Sequence, residues 1–235
     1  MSDASDSDSQ RSSPVNLVRS SHPWTKADSA AGFVLRYLTP MRRQLTAALG
    51  SVEDADEALQ LLLNHLISAG FGEHRHGRLR DFIVRGLRSA ARARMNEIPE
   101  SARGQVRLDD LMADSTEWLT YWREGLLERA WRSLERLEHG SPDSPYFSVL
   151  HSATANPQAT PEMLVVQIAT DTDRRIDAAG IRELLPRARN LFAQLLADEV
   201  AETLEGPSDD DIRQELRLLG LSRVLQGVNA DGQVT

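Results

Sequence analysis

The segment from Val52 to Arg94 most restricts what this 235-residue chain can become, because it segregates charge along a helical period. Its first part, Val52-Glu53-Asp54-Ala55-Asp56-Glu57-Ala58-Leu59-Gln60-Leu61-Leu62-Leu63-Asn64, is acidic and leucine-rich. Gly70-Phe71-Gly72-Glu73-His74-Arg75-His76-Gly77 breaks the pattern, and Arg78-Leu79-Arg80-Asp81-Phe82-Ile83-Val84-Arg85-Gly86-Leu87-Arg88, continuing to Arg92 and Arg94, is basic. On a helical wheel Val52, Ala55, Leu59, Leu62, Leu63 and Leu66 share one face and are the expected core. Glu53, Glu57, Gln60 and Asn64 take the other face, with Leu61 among them. A leucine on an acidic face suits a protein contact, although single exposed leucines are common. In the basic part Leu79, Phe82, Ile83, Leu87 and Ala90 form the expected buried stripe, while Arg78, Arg85, Arg88 and Arg92 line the opposite face and Arg80 and Arg94 flank the core. Like charges at helical spacing with no carboxylate at i+4 repel one another, so the stripe calls for an external anion such as a nucleic-acid phosphate. An ordinary charged surface is the plainer alternative.

Composition narrows the class. Hydrophobic residues make up 40% of the chain and aromatics 5%, with long Leu/Ala/Arg/Glu runs that favour an all-α fold over sheets. There is no cysteine, which excludes disulfides and thiolate metal sites and fits a reducing cytoplasm. No apolar run approaches the roughly 20 residues that span a bilayer, and the polar, acidic start Met1–Gln10 lacks a signal-peptide pattern. A cytoplasmic protein without membrane association is expected. The net charge of -8 argues against nucleic acid, but charge acts locally: between Arg75 and Arg94 seven arginines stand against one carboxylate, Asp81.

Along the chain, residues 1–25 are Ser/Asp-rich and expected to be a disordered tail. Residues 26–97 read as one helical domain, in which Pro40 starts a helix ending at Gly50 and Ser51 caps the next. Residues 98–114, with Pro99 and Gly104, read as a linker. A second helical domain is expected over 115–205. It opens with a long helix to His139 bearing Trp118, Trp122 and Trp131, followed by a helix from Tyr146 to Ala155. Thr160-Pro161-Glu162 and Asp177 then cap the two helices of a helix-turn-helix, with a polar turn over Thr170–Arg175. Residues 206–235 are expected to hold a short helix from Asp209 to Leu219 and a tail.

These residues resemble an extracytoplasmic-function (ECF) type RNA polymerase sigma factor of the sigma-70 family. Over about Ala30 to Met95, Asp54-Ala55-Asp56-Glu57-Ala58-Leu59-Gln60 is similar to the family's D-A-x-D-x-x-Q helix. Gly77 to Arg88 is similar to the arginine-bearing helix that follows it. Ile181-Arg182-Glu183-Leu184-Leu185-Pro186-Arg187-Ala188-Arg189 is similar to the V-R-x-x-L-x-R-A-R signature of the promoter-reading domain, and the leucine-rich end resembles divergent planctomycete-type chains. Leu61 replaces a frequent acid and Phe82 a frequent tryptophan. Pro186 is expected to interrupt the second helix of the helix-turn-helix, whose preceding turn is long.

The resemblance implies a transcription initiation factor with no cofactor and no catalytic residue. Glu53, Asp56, Glu57, Gln60, Leu61 and Asn64 would dock on core RNA polymerase. Arg78, Arg80, Arg85, Arg88, Arg92 and Arg94 would hold promoter DNA near its melting point, and Arg175, Arg182, Arg187 and Arg189 would serve the upstream element. An anti-sigma factor or a regulatory kinase is a further partner of the kind the family uses. The competing reading is a degenerate sigma-like regulator that binds polymerase or an anti-sigma partner without reading promoters. No P-loop, H-E-x-x-H, G-x-S-x-G or cysteine nucleophile supports an enzyme. His74 and His76 make a poor metal pair and stand where they can touch DNA.

Overall fold

The computed structural model describes residues 24–72, 76–102, 104, 107–172 and 174–226. Residues 1–23 of the expected N-terminal tail, and His74, lie outside this set, whereas Trp24, expected to be disordered with that tail, is fully buried because its ring packs on Phe71 and Phe82. Among the described residues regular structure is helical throughout, with no strand. The helices are α1 (Ala30–Val34), α2 (Leu38–Leu49), α3 (Val52–Ala69), α4 (Leu79–Met95), α5 (Thr116–Gly140), α6 (Tyr146–Ala155), α7 (Pro161–Thr172), α8 (Ala178–Glu202), α9 (Asp209–Leu218) and α10 (Ser222–Gln226).

The chain forms two compact units, and they divide it differently from the expected segments. Among the described residues one contains 24–132 and 195–222; the other contains 133–194 and 223–226. The boundaries therefore fall inside α5, inside α8 and after the first residue of α10.

In the first unit α2, α3 and α4 pack on one another. Gly50, at φ 87°, closes α2 in the left-handed region that suits a residue without Cβ. Ser51 then caps α3, its Oγ accepting from Asp54 N at 3.0 Å. The buried face of α3 is Ala55, Ala58, Leu59, Leu62 and Leu66, so Val52 is exposed and Leu63 only half-buried, contrary to the wheel. The α4 stripe of Leu79, Ile83, Leu87 and Ala90 is buried as expected, together with Val84 and Ala91, whereas Phe82 is half-buried. Trp24 closes one end of this core. Its ring meets Phe71 edge-on at 5.0 Å and its Nε1 donates to Gly77 O at 3.2 Å.

The N-terminal half of α5 belongs to this unit because its tryptophans complete the core. Trp118 and Trp122 are buried, Trp122 stacks on Tyr37 at 4.7 Å, and burial pushes the Tyr37 phenol far above its ordinary range. Gly125 lets α5 approach α2, since a Cβ there would stand 3.0 Å from Pro40 Cγ. The end of α8 is tied in by Arg129 Nε to Glu199 Oε2 at 2.6 Å and Arg36 Nη1 to Glu202 Oε2 at 3.0 Å.

The expected linker is strapped to the same unit. Gly104 N donates to Ala48 O at 3.1 Å, and Leu111 is fully buried. A Cβ on Gly104 would stand 2.2 Å from Ala47 O, a backbone atom that cannot rotate away. Gly104→Ala is therefore expected to destabilise this unit by about 1–3 kcal/mol, visible as a lower denaturation midpoint at unchanged slope.

The C-terminal segment also folds back onto this unit instead of forming a free extension. Leu79 N donates to Thr203 O at 2.8 Å, and Gly77 N donates to Glu205 Oε2 at 2.7 Å. Ser208 and Asp211 form a reciprocal capping box at the start of α9. Ile212, Leu216, Leu219 and Leu221 are buried, each contributing about 1.5–3 kcal/mol of transfer free energy.

In the second unit the core is Val149, Leu164, Ile168 and Ile181, with Ile176, Leu184 and Leu185 packed against it. Glu138 is buried there and accepts from Ser148 N at 2.9 Å, with Arg174 Nη2 at 3.3 Å. The expected caps form: Thr160 Oγ1 accepts from Met163 N, and Asp177 Oδ1 from Gly180 N at 2.7 Å. Helix α7 continues through Thr172, past Thr170 where the turn was expected to start. Pro186 does not interrupt α8. Proline forfeits one backbone donor, and the buried residues on both sides of it, Ile181, Ala188 and Phe192, hold the helix together.

Candidate functional site

The outward face of α3 emerges as expected. Glu53, Asp56, Glu57, Gln60, Leu61 and Asn64 are all exposed, and Leu61 retains 49% of its surface. The wheel missed Ile67, at 73% the most exposed large apolar side chain among the described residues, which shares a shallow groove with Leu38 of α2. Two of the carboxylates already have partners. Asp56 is gripped by Arg42 through Nε at 2.7 Å and Nη2 at 2.6 Å, and Glu57 Oε2 lies 2.8 Å from Arg94 Nη2.

Arg94, expected to face nucleic acid, thus has protein partners. It also binds Asp54 at 2.7 Å and Glu97 at 2.6 Å, so its guanidinium sits among three carboxylates. The Ser51 hydroxyl first and the Arg94 guanidinium second hold the Asp54 carboxyl below the usual aspartate range. A folded value below the unfolded one gives stability that is complete above the unfolded value, near pH ~4, and is lost as pH falls through the folded value. Asp54→Asn is expected to remove that part of the acid limb, which urea unfolding at a series of pH values below about 5 would read.

The arginine stripe of α4 splits. Arg80, expected at a DNA surface, is only 2% exposed. Its Nε donates to Glu215 Oε1 at 2.6 Å, its Nη1 donates to Ala113 O, and Asp81 Oδ1 lies 3.1 Å away. Arg78 Nε reaches the same Glu215 at 3.3 Å. Arg88 is half-buried, with Nη2 3.9 Å from Asp109 Oδ1 and Nη1 directed at Met112 Sδ. Arg85 and Arg92 are exposed and have no ion pair among the described residues.

Glu215 was not foreseen, yet its position carried a signal. Ile212, Glu215, Leu216 and Leu219 occupy i, i+3, i+4 and i+7, so the carboxylate lies in the apolar stripe of its own helix. Arg80 lies at the edge of the α4 stripe. A buried acid and a buried base on separate helices satisfy each other.

The basic residues of the second unit are on its surface. Arg175 and Arg189 are exposed, Arg182 pairs with Glu162, and Arg187 Nη2 lies 2.8 Å from Glu183 Oε1. His76 Nδ1 lies 3.0 Å from Glu205 Oε1, which gives it a protein partner. Among the described residues no group of three or more His, Cys, Asp or Glu side chains is placed to hold a metal ion. No helix among them is long and apolar enough to cross a membrane.

Between α3 and α4 lies an open apolar groove of about 560 Å³, lined by the buried Leu62 and Leu66, the half-buried Phe82 and the exposed Leu61 and Ala93. Gly86 permits this arrangement, since a Cβ there would meet Leu62 Cδ1 at 2.7 Å. Comparison with protein-family models, with curated proteins and with solved structures finds no match for this chain.

Proposed function

We propose that this chain is a sigma-type transcription initiation factor that docks on core RNA polymerase through α3 and presents α4 to promoter DNA in the cytoplasm. The observation that carries the reading is the outward face of α3, where Gln60, Leu61 and Asn64 stand exposed together beside Glu53, Asp56 and Glu57. Carboxylates and amides around a single exposed leucine suit a basic helical partner: the leucine supplies burial and the polar groups supply register. Next to it Arg85 and Arg92 offer uncompensated charge to phosphates. In the second unit the order of α7 and α8 is that of a helix-turn-helix, with Arg175, Arg182, Arg187 and Arg189 on or beside α8.

A second reading, a sigma-like regulator that binds polymerase or an anti-sigma partner without reading promoters, draws on a different observation. Glu215 engages Arg78 and Arg80, and Glu162 and Glu183 engage Arg182 and Arg187. Core-polymerase binding measured beside run-off transcription separates the two. Binding with promoter-dependent initiation supports the first, binding alone supports the second, and neither rejects both.

A further inference from the structure

We infer that the groove between α3 and α4 is a docking site for an amphipathic helix of a protein partner that carries carboxylates along one flank. Its length along α4, from Phe82 to Ala93, is about 16 Å at 1.5 Å per residue, or three helical turns. Gly86, Ala90 and Ala93 keep the α4 wall low, so a helix backbone can approach closely, and Leu61 forms a raised apolar wall opposite. The edge is charged in one sense. Arg85 and Ser89 line it, and Arg92, one turn beyond Ser89, continues the same stripe. His65 stands on the α3 side. Asp54 and Glu57, the α3 carboxylates bound by Arg94, are not among the residues that line the groove.

Shape and charge together select the occupant. A phosphodiester would satisfy the arginines but would meet apolar side chains wherever it entered the groove, where unpaired charge is costly. A helix with leucines at i, i+4 and i+7 buries them on Phe82, Leu62 and Leu66 and sets its carboxylates against Arg85 and Arg92. Such a partner would also cover the arginines assigned above to DNA, making the two ligands mutually exclusive. The site itself is independent of that assignment.

The full chain, a synthetic three-turn peptide with leucines at those positions and glutamates on one flank, and the same peptide with lysines in place of glutamates provide the test. The acidic peptide is expected to bind, with methyl resonance shifts centred on Leu61, Leu62 and Leu66. The lysine peptide is expected to bind about tenfold or more weakly, as is the acidic peptide to Arg85→Glu/Arg92→Glu. Ala93→Trp, which fills an exposed wall position, is expected to abolish binding. Equal affinity for both peptides, absence of binding, or shifts centred elsewhere would overturn the proposal. So would Ala93→Trp blocking duplex DNA while sparing the peptide, which would give the groove to nucleic acid.

Discussion

Glu215→Ala is expected to destabilise the first unit by about 3–5 kcal/mol, because it strands the Arg80 guanidinium in the interior. Both members of the pair are 2% exposed, and Glu215 also receives Arg78 at 3.3 Å. Removal leaves one buried cation with the Ala113 carbonyl and Asp81 as its nearest compensation. Against a typical domain stability of about 5–15 kcal/mol, such a loss takes a large share of the whole. The companion variant Arg80→Met/Glu215→Leu removes both charges, keeps the volume, and is expected to lie within about 1–2 kcal/mol of the parent. Guanidinium unfolding with a shared slope reads both. A cost below about 1 kcal/mol for Glu215→Ala would mean that α9 does not seal this pair from water.

That pair also marks where the sequence stopped being legible. Helix positions followed from local chemistry: Ser51, Thr160 and Asp177 each cap the helix they precede, and Gly50 ends the one before α3. Exposure of the α3 face followed from periodicity. What periodicity does not encode is the partner of a charged residue at the edge of an apolar stripe, because Arg80 and Glu215 are 135 positions apart. The same limit explains the unit boundaries. Gly104 and Pro99 read locally as a linker, and only the contact of Gly104 with Ala48 O shows the segment bound to α2. Helix α9 reads as a separate C-terminal element for the same reason, although Ile212 and Leu216 are buried on the first unit. Pro186 misled in the opposite direction, since a local rule was overridden by packing on both sides of it.

The largest functional effect is expected from separating the two exposed faces. Arg85→Ala/Arg92→Ala should lower the slope of log affinity against log salt for promoter DNA by about 1.8, at roughly 0.9 per phosphate contact. At fixed low salt the affinity should fall accordingly, while binding to core polymerase is unchanged. Gln60→Ala/Leu61→Ala should do the reverse, weakening polymerase binding by about 1–2 kcal/mol, a factor of roughly 5–30, with the DNA slope intact. Gln60 and Leu61 are better choices than Asp56 and Glu57, because Arg42 and Arg94 already hold those carboxylates. Arg78→Ala supplies the internal control. With Glu215 as its partner, Arg78 should contribute less to the salt slope than Arg85, although both lie on the stripe that the wheel treats as equivalent. A full reduction of about 0.9 from Arg78→Ala would show that Glu215 yields Arg78 to phosphate. A reduction near zero would leave Arg85 and Arg92 as the DNA-facing pair, and identical phenotypes for the two double variants would refute the division between the faces.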